Sequence, residues 1–173
     1  MMILLTGGSG CGKSSFGEKL VLRFPLPRYY VATMQPYGAE SQKKIERHRE
    51  LRKEKQFVTI ERQRDVGGIV LPEKGTVLLE CICNLSANEM FDEAGNECDP
   101  FDKIIDGVHR LKEQAENLVV ITNDVGSDCE DYTDSTLRYV DLLGRLNMVL
   151  AEEADTVCEL VCGIPILMKG ELP

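Results

Sequence analysis

No apolar run in this chain approaches the roughly 18 residues of a membrane-spanning helix, so a membrane span is not expected. The opening MMILLTGGSG lacks a basic stretch and a small-residue cleavage site, so it does not read as a secretory leader. None of the seven cysteines forms a Cys-x-x-Cys pair. The nearest approach to metal-ligand spacing is Cys158 and Cys162 in TVCELVCGI, read as one buried strand with both thiols on the same face. Both histidines are remote in sequence, so a zinc site is not expected there. An odd number of cysteines without a leader fits free thiols in a reducing compartment, and a cytoplasmic location is expected. Positive charge is in short supply: 20 Lys and Arg stand against 29 Asp and Glu, a formal net charge of −9. That balance excludes nucleic acid as the main partner. No repeat, low-complexity tract or linker divides the sequence, so residues 1–173 are expected to form one domain.

What is present alternates between strand and helix. MILLT reads as a buried parallel strand, Lys13 to Leu22 as a helix, and Arg28 to Thr33 as a second strand. A charged helix is expected from Ala39 to about Lys55, then strands at FVTIE and GTVLLE. The stretch Cys81 to Asp99 gives no clear pattern beyond the loop signal NECDP. Asp99 and Pro100 should start a helix running to about Asn117, with proline suited to the first helical position. NLVVITND reads as a fifth strand, Tyr132 to Glu153 as a long amphipathic helix, TVCELVCGI as a sixth strand and PILMKG as a short last one. The alternation predicts an α/β fold, a mostly parallel sheet with helices on both faces and its ligand at the carboxyl ends of the strands. Thr6, Thr33, Glu61, Glu80, Asn123 and Asp124 fall at or near such ends.

Gly7, Gly8, Ser9, Gly10, Cys11, Gly12, Lys13 and Ser14 spell GxxxxGK[ST] between a strand and a helix. Backbone N–H groups in such a loop converge on phosphate, and the helix start adds partial positive charge. Lys13 would meet the β- and γ-phosphates, and Ser14 would ligate Mg2+. A second, acidic metal ligand is expected at the end of another core strand: Glu80 first, Asp124 as runner-up.

The net negative charge reverses locally in SQKKIERHRELRKEK. As a helix it would stack Lys44, His48 and Arg52 on one stripe. Two cationic neighbours disfavour imidazolium, leaving His48 neutral and able to act as nucleophile or base. The same cations would hold a polyphosphate leaving group. A solvated helix, partly neutralised by Glu46 and Glu50, is the simpler reading of these residues alone. His109 lies beside an apolar stripe and reads as surface or packing.

The segments MILLTGGSGCGKSS, YYVATMQ, KKIERHRELR, VTIE, VLLECICN, VVITNDVG and GRLNMVLAEEAD come in an order that resembles one family over nearly the whole chain. That family is the bifunctional adenosylcobinamide kinase and adenosylcobinamide-phosphate guanylyltransferase of cobalamin assembly. The resemblance implies a P-loop NTPase fold of the RecA-like branch, a single nucleotide-binding catalytic domain over 1–173, and a ring-like trimer. It implies two reactions: phosphorylation of a corrinoid alcohol by GTP or ATP, then transfer of GMP from GTP through a histidine. His48 and Lys13 would be catalytic. Gly7 to Ser15, the last being Ser15, would hold the triphosphate, with Thr33, Met34, Gln35, Glu50, Leu51, Arg52, Lys53, Glu61 and Glu80 around the nucleotide and Ser14 and Glu80 on Mg2+. The chain departs from the family pattern at Gly10 and Cys11, where many relatives have Arg and Ser, at Glu80 for Asp, and at CICNL. Some relatives carry two adjacent histidines where Arg47 and His48 stand, so the carrier is either His48 or lost at Arg47, and in the second case the transferase step goes with it. A kinase without the transferase step, and a nucleotide-binding protein without chemistry, are the alternatives.

Overall fold

The computed structural model describes residues 1–35, 55–92, 94–126 and 132–173. The expected charged helix, and with it His48, Glu50, Leu51, Arg52 and Lys53, lies outside the described residues. The described elements are β1 (Met2–Thr6), α1 (Lys13–Val21), β2 (Arg28–Ala32), β3 (Phe57–Glu61), β4 (Thr76–Glu80), α2 (Ile82–Glu89), α3 (Phe101–Gln114), β5 (Asn117–Ile121), α4 (Asp134–Glu153), β6 (Thr156–Val161) and β7 (Ile164–Lys169).

Seven strands form one sheet in the order β3-β2-β4-β5-β1-β6-β7. The first six run parallel, and β7 pairs antiparallel with β6. One strand, β5, stands between the phosphate-loop strand β1 and the acid-bearing strand β4, which is the RecA-like arrangement. Right-handed crossovers put α1 on one face, since β1 to β2 steps toward the β3 edge. The connections β4 to β5 and β5 to β6 step the other way, so α3 and α4 cover the opposite face.

Covered on both faces, the central strands read as continuous apolar runs. Ile3, Leu5, Val77, Leu78, Leu79, Val119 and Val120 are fully buried. Each such side chain contributes about 1.5–3 kcal/mol on burial. Helix α1 comes down hard on this layer: a Cβ at Gly17 would stand 3.1–3.3 Å from side-chain carbons of Ile121, Leu5 and Leu78. On the other face α4 buries Leu142, Leu143, Leu146 and Leu150, the helical stripe read from sequence, and Thr133 caps its start by accepting from the Thr136 N–H. Among the described residues no helix is long and apolar enough to cross a membrane.

Three expectations need correction. The helix expected to reach Asn117 ends at Gln114, and Asn117 opens β5. CICNLSANE, which had no readable pattern, contains helix α2, held by buried Ile82, Leu85, Ser86 and Glu89 rather than by the propensity of its Asn and Ser residues. TVCELVCGI is not one strand: β6 stops at Val161, and Cys162 and Gly163 turn the chain back with φ of 51° and 80°. Cys158 is buried and Cys162 exposed, so the two thiols do not share a buried face.

Candidate active site

Strand β1 ends at Thr6, and residues 7–12 curl into the loop that opens α1. Gly7 has φ 134°, and a Cβ there would lie 2.5 Å from the Leu160 carbonyl oxygen, so no other residue fits. The opposite wall of the loop approaches the β6–β7 turn, with Gly163 Cα 3.6 Å from a Cβ built at Gly12. Gly8, Ser9, Gly10, Gly12 and Ser15 are exposed, and Cys11 and Ser14 are half-buried. Lys13 is buried within this curl, where its Nζ donates to the Gly7 and Gly8 carbonyls at 2.8 and 2.7 Å and lies 3.5 Å from Cys11 Sγ. A buried ammonium held by main-chain oxygens at the mouth of a glycine loop is placed for anionic oxygens.

Across the loop, Ser14 Oγ donates to Glu80 Oε1. Glu80 is the last residue of β4, and the sheet order sets it two strands from β1. Burial raises its carboxyl to about 7, with the Glu18 charge adding to the rise and the Ser14 hydroxyl and Lys13 opposing it. Asp124 follows β5, and its N–H donates to the Gly7 carbonyl at 3.2 Å, so its backbone ties down the loop. Of the two acids read from sequence, Glu80 is the one that touches the Ser14 hydroxyl.

Thr33 is fully buried and fixes Glu80 from behind. Its N–H donates to the Glu80 carbonyl at 3.0 Å, its Oγ1 lies 2.9 and 3.0 Å from the Glu80 and Cys81 carbonyls, and the Cys81 N–H donates to the same Oγ1 at 2.7 Å. Met34 and Gln35 follow as half-buried residues. Glu61 is not gathered in: it is exposed at the end of β3, the far edge strand, four strands from β1. At the usual strand spacing that separation is about 19 Å. His109, read from sequence as surface or packing, is part-exposed, with its Nε2 2.8 Å from Glu153 Oε2 on the last turn of α4. A cavity of about 680 Å³ also lies elsewhere, between Met90, Pro100, Leu137, Arg138, Leu142 and Arg145.

Sequence reasoning missed five participants. Glu18 is buried on α1, one turn beyond Ser14, and pairs with Lys55. Its signal was present as a carboxylate at i+4 from Ser14 on a helix packed into the sheet. Asn88 donates to the Thr33 and Gln63 carbonyls, both at 2.8 Å. Thr122 donates to Asn147 Oδ1 at 2.6 Å, and Asn147 in turn donates to the Asn123 carbonyl at 3.1 Å, bracing the turn after β5. Leu160 supplies only a carbonyl, which a sequence does not display.

The donor set of Ser14 and Glu80 suits Mg2+. Both are hard oxygen ligands in contact, and Mg2+ is held in such sites by one or two protein oxygens, substrate phosphates and water. Among the described residues no group of three or more His, Cys, Asp or Glu is placed to hold a metal ion by itself.

The profile of the cobinamide kinase / cobinamide phosphate guanyltransferase family matches residues 3–168. This chain belongs to that family. Its curated members are named bifunctional adenosylcobalamin biosynthesis proteins, and the family is described as cobinamide kinase and cobinamide phosphate guanyltransferase. The bifunctional adenosylcobalamin biosynthesis protein CobU of Escherichia coli (strain K12) is 31% identical over 98% of this chain and 100% of its own length. CobU of Salmonella typhimurium is also 31% identical, over 98% and 100%. Among solved structures, the flagellar accessory protein FlaH from Methanocaldococcus jannaschii aligns at 13% identity and a TM-score of 0.47, over 98% of this chain and 78% of that one.

Proposed function

We propose that the single phosphate loop of this chain serves two reactions in turn, and that residues 1–173 act as one catalytic unit. In the first, the corrinoid hydroxyl oxygen of adenosylcobinamide attacks the γ-phosphorus of GTP or ATP. The bond to the βγ-bridging oxygen breaks, the nucleoside diphosphate leaves, and the hydroxyl proton passes to water. In the second, a neutral imidazole nitrogen of His48 attacks the α-phosphorus of GTP and expels pyrophosphate, leaving GMP on the ring as a phosphoramidate. A phosphate oxygen of the phosphorylated corrinoid then takes the GMP, the N–P bond breaks, and adenosylcobinamide-GDP results.

The observation that carries this reading is the Lys13, Ser14 and Glu80 cluster at the strand ends of a chain in this family. Lys13 exchanges its carbonyl partners for phosphate oxygens and offsets charge that builds on them. The main-chain N–H groups of the exposed loop residues Gly8, Ser9, Gly10 and Gly12 would cradle the same oxygens. Mg2+ held by Ser14 and Glu80 would neutralise negative charge between phosphates. Thr33 keeps Glu80 aimed at Ser14. Met34, Gln35, Glu50, Leu51, Arg52, Lys53 and Glu61 belong to the nucleotide surroundings on the strength of the family alone. A trimer with a cytoplasmic location completes the proposal, and the exposed apolar strand β7 gives that assembly a surface to use.

The test is direct. The protein is incubated with Mg2+ and GTP labelled at the α-phosphate, then denatured. Acid-labile, alkali-stable label that stays on the chain and disappears in His48→Ala is expected. Active kinase without such label leaves a kinase-only enzyme, and label surviving in His48→Ala moves the carrier elsewhere.

A further inference from the structure

Helices α3 and α4 each lead into a strand that runs parallel to β1, so both begin at the carboxyl end of the sheet, the end that carries the phosphate loop. Where they meet the end of α2 lie two cavities, of about 680 and 560 Å³, which share Asp99 and Arg145 and so form one groove. Volumes of this size are those of small-molecule sites. The walls are fixed. Asp99 takes both terminal nitrogens of Arg145 at 2.7–2.9 Å, and the same guanidinium lies over the Phe101 ring at 4.7 Å. The loop before α3 is fastened back to α2. There the Cys98 N–H donates to the Met90 carbonyl at 2.8 Å, and Asp92 Oδ1 accepts the Ala94 and Asn96 N–H groups at 2.9 and 2.8 Å.

Two features point to an occupant. The groove is apolar yet uncovered: Leu137 is 52% and Met148 73% exposed along α4, beside buried Met90 and Leu142. It is also acidic. Among the described residues that line it, Glu97, Asp99, Asp102 and Asp141 outnumber Arg138 and Arg145, an excess of two negative charges. A phosphate is repelled there, and a broad apolar cation with hydrogen-bonding edges is favoured. Adenosylcobinamide is such a body, a corrin macrocycle with a net positive charge and a rim of carboxamides. Its reacting hydroxyl ends a side arm and is not on the ring itself. Helix α2, eight residues and about 12 Å long, leads from the Glu80 end of β4 to Met90 at the groove. A ring seated in the groove, together with its arm, spans that distance.

We infer that this groove is the acceptor subsite: it takes the corrin macrocycle, with Leu137 and Met148 against the ring and the surplus carboxylates answering its charge. The inference rests on the corrinoid-kinase reading above.

The experiment uses the full chain and two readouts. The first is alkylation by limiting N-ethylmaleimide, resolved by peptide mass. Cys98 is exposed and lines the groove, whereas Cys162 is exposed at the β6–β7 turn. Saturating adenosylcobinamide should slow alkylation of Cys98 about tenfold, and GTP should leave it within about twofold. The second readout is γ-phosphate transfer. Leu137→Lys should raise the KM for adenosylcobinamide about tenfold and Asp141→Asn about threefold, with kcat and the KM for GTP within about twofold and Leu137→Met close to wild type. Unprotected Cys98 in protein that phosphorylates adenosylcobinamide overturns the inference, as does an unchanged KM in Leu137→Lys. A light-scattering mass that falls in Leu137→Lys assigns the groove to a second copy of the chain and overturns it too. Cys98 protected by adenosylcobinamide that receives no phosphate is a failure of the kinase reading instead, and upholds the subsite.

Discussion

Strands β1 and β7 are almost equally apolar, MILLT against IPILMK, and meet opposite fates. In β1, Ile3 and Leu5 are fully buried; in β7 all six residues are exposed, Ile164 and Met168 by about two thirds. Composition does not separate them; position does. Strand β1 lies between β5 and β6 with α1 and α4 packed on it, whereas β7 is the sheet edge, beyond the strands that the described helices cover. The buried strand delivers a rigid carboxyl end from which the phosphate loop springs. The edge strand offers unpaired backbone and bare side chains, a liability unless something covers it. One apolar pattern thus gives a buried centre that carries the phosphate loop and a bare strand at the rim.

The contrast can be broken by substitution. Leu5→Ala should cost about 2–5 kcal/mol, because it opens a cavity beneath α1. Denaturant melting reads this, and a loss under about 1 kcal/mol would mean that the centre is not as tightly packed as its burial implies. An intermediate effect is expected at Glu80, the buried acid on β4. Burial pushes its folded carboxyl up to about 7, above the ordinary carboxylate range, so the folded state holds a proton that the unfolded chain has already lost. Stability of the nucleotide-free, chelator-treated protein should therefore fall as pH rises from about 4.5 to about 7 and level off above. Glu80→Gln should flatten that slope and gain about 1–2 kcal/mol above pH 7, allowing for solvent screening of a half-buried group. An unchanged slope in melting temperature against pH would assign the titration to another group. The smallest stability effect belongs to Leu167→Lys on β7, within about 0.5 kcal/mol in dilute solution. That same variant should drop the light-scattering mass from trimer to monomer, and an unchanged mass would place the assembly surface away from β7.

Most of the parallel sheet could be read from sequence, because continuous apolar runs bounded by glycine have few alternatives. The phosphate loop was legible for a local reason: Gly7 through Ser14 are consecutive and need no tertiary contact to be recognised. Glu80 was legible as a strand-end acid and was ranked ahead of Asp124, but its contact with Ser14 was not legible, since it depends on the order in which strands line up. Helix α2 escaped notice because Ile82, Leu85 and Ser86 form it by burial against α4 and the sheet, overriding indifferent local propensity. The turn at Cys162 was hidden inside a run of strand-forming residues, and the only local sign was the following glycine. Glu18 and Lys55 lie 37 residues apart, and a pairing at that distance leaves no local trace.

The central claim is that one loop feeds both phosphorus atoms. The most direct measurement is Lys13→Ala assayed with GTP labelled at the γ-phosphate and, separately, at the α-phosphate. Gly7, Gly8 and Lys13 form a single cradle, so γ-transfer to cobinamide and α-labelling of the chain should fall together, each by about a hundredfold or more. Loss of γ-transfer with α-labelling kept at the wild-type rate would contradict the account and require a second nucleotide site.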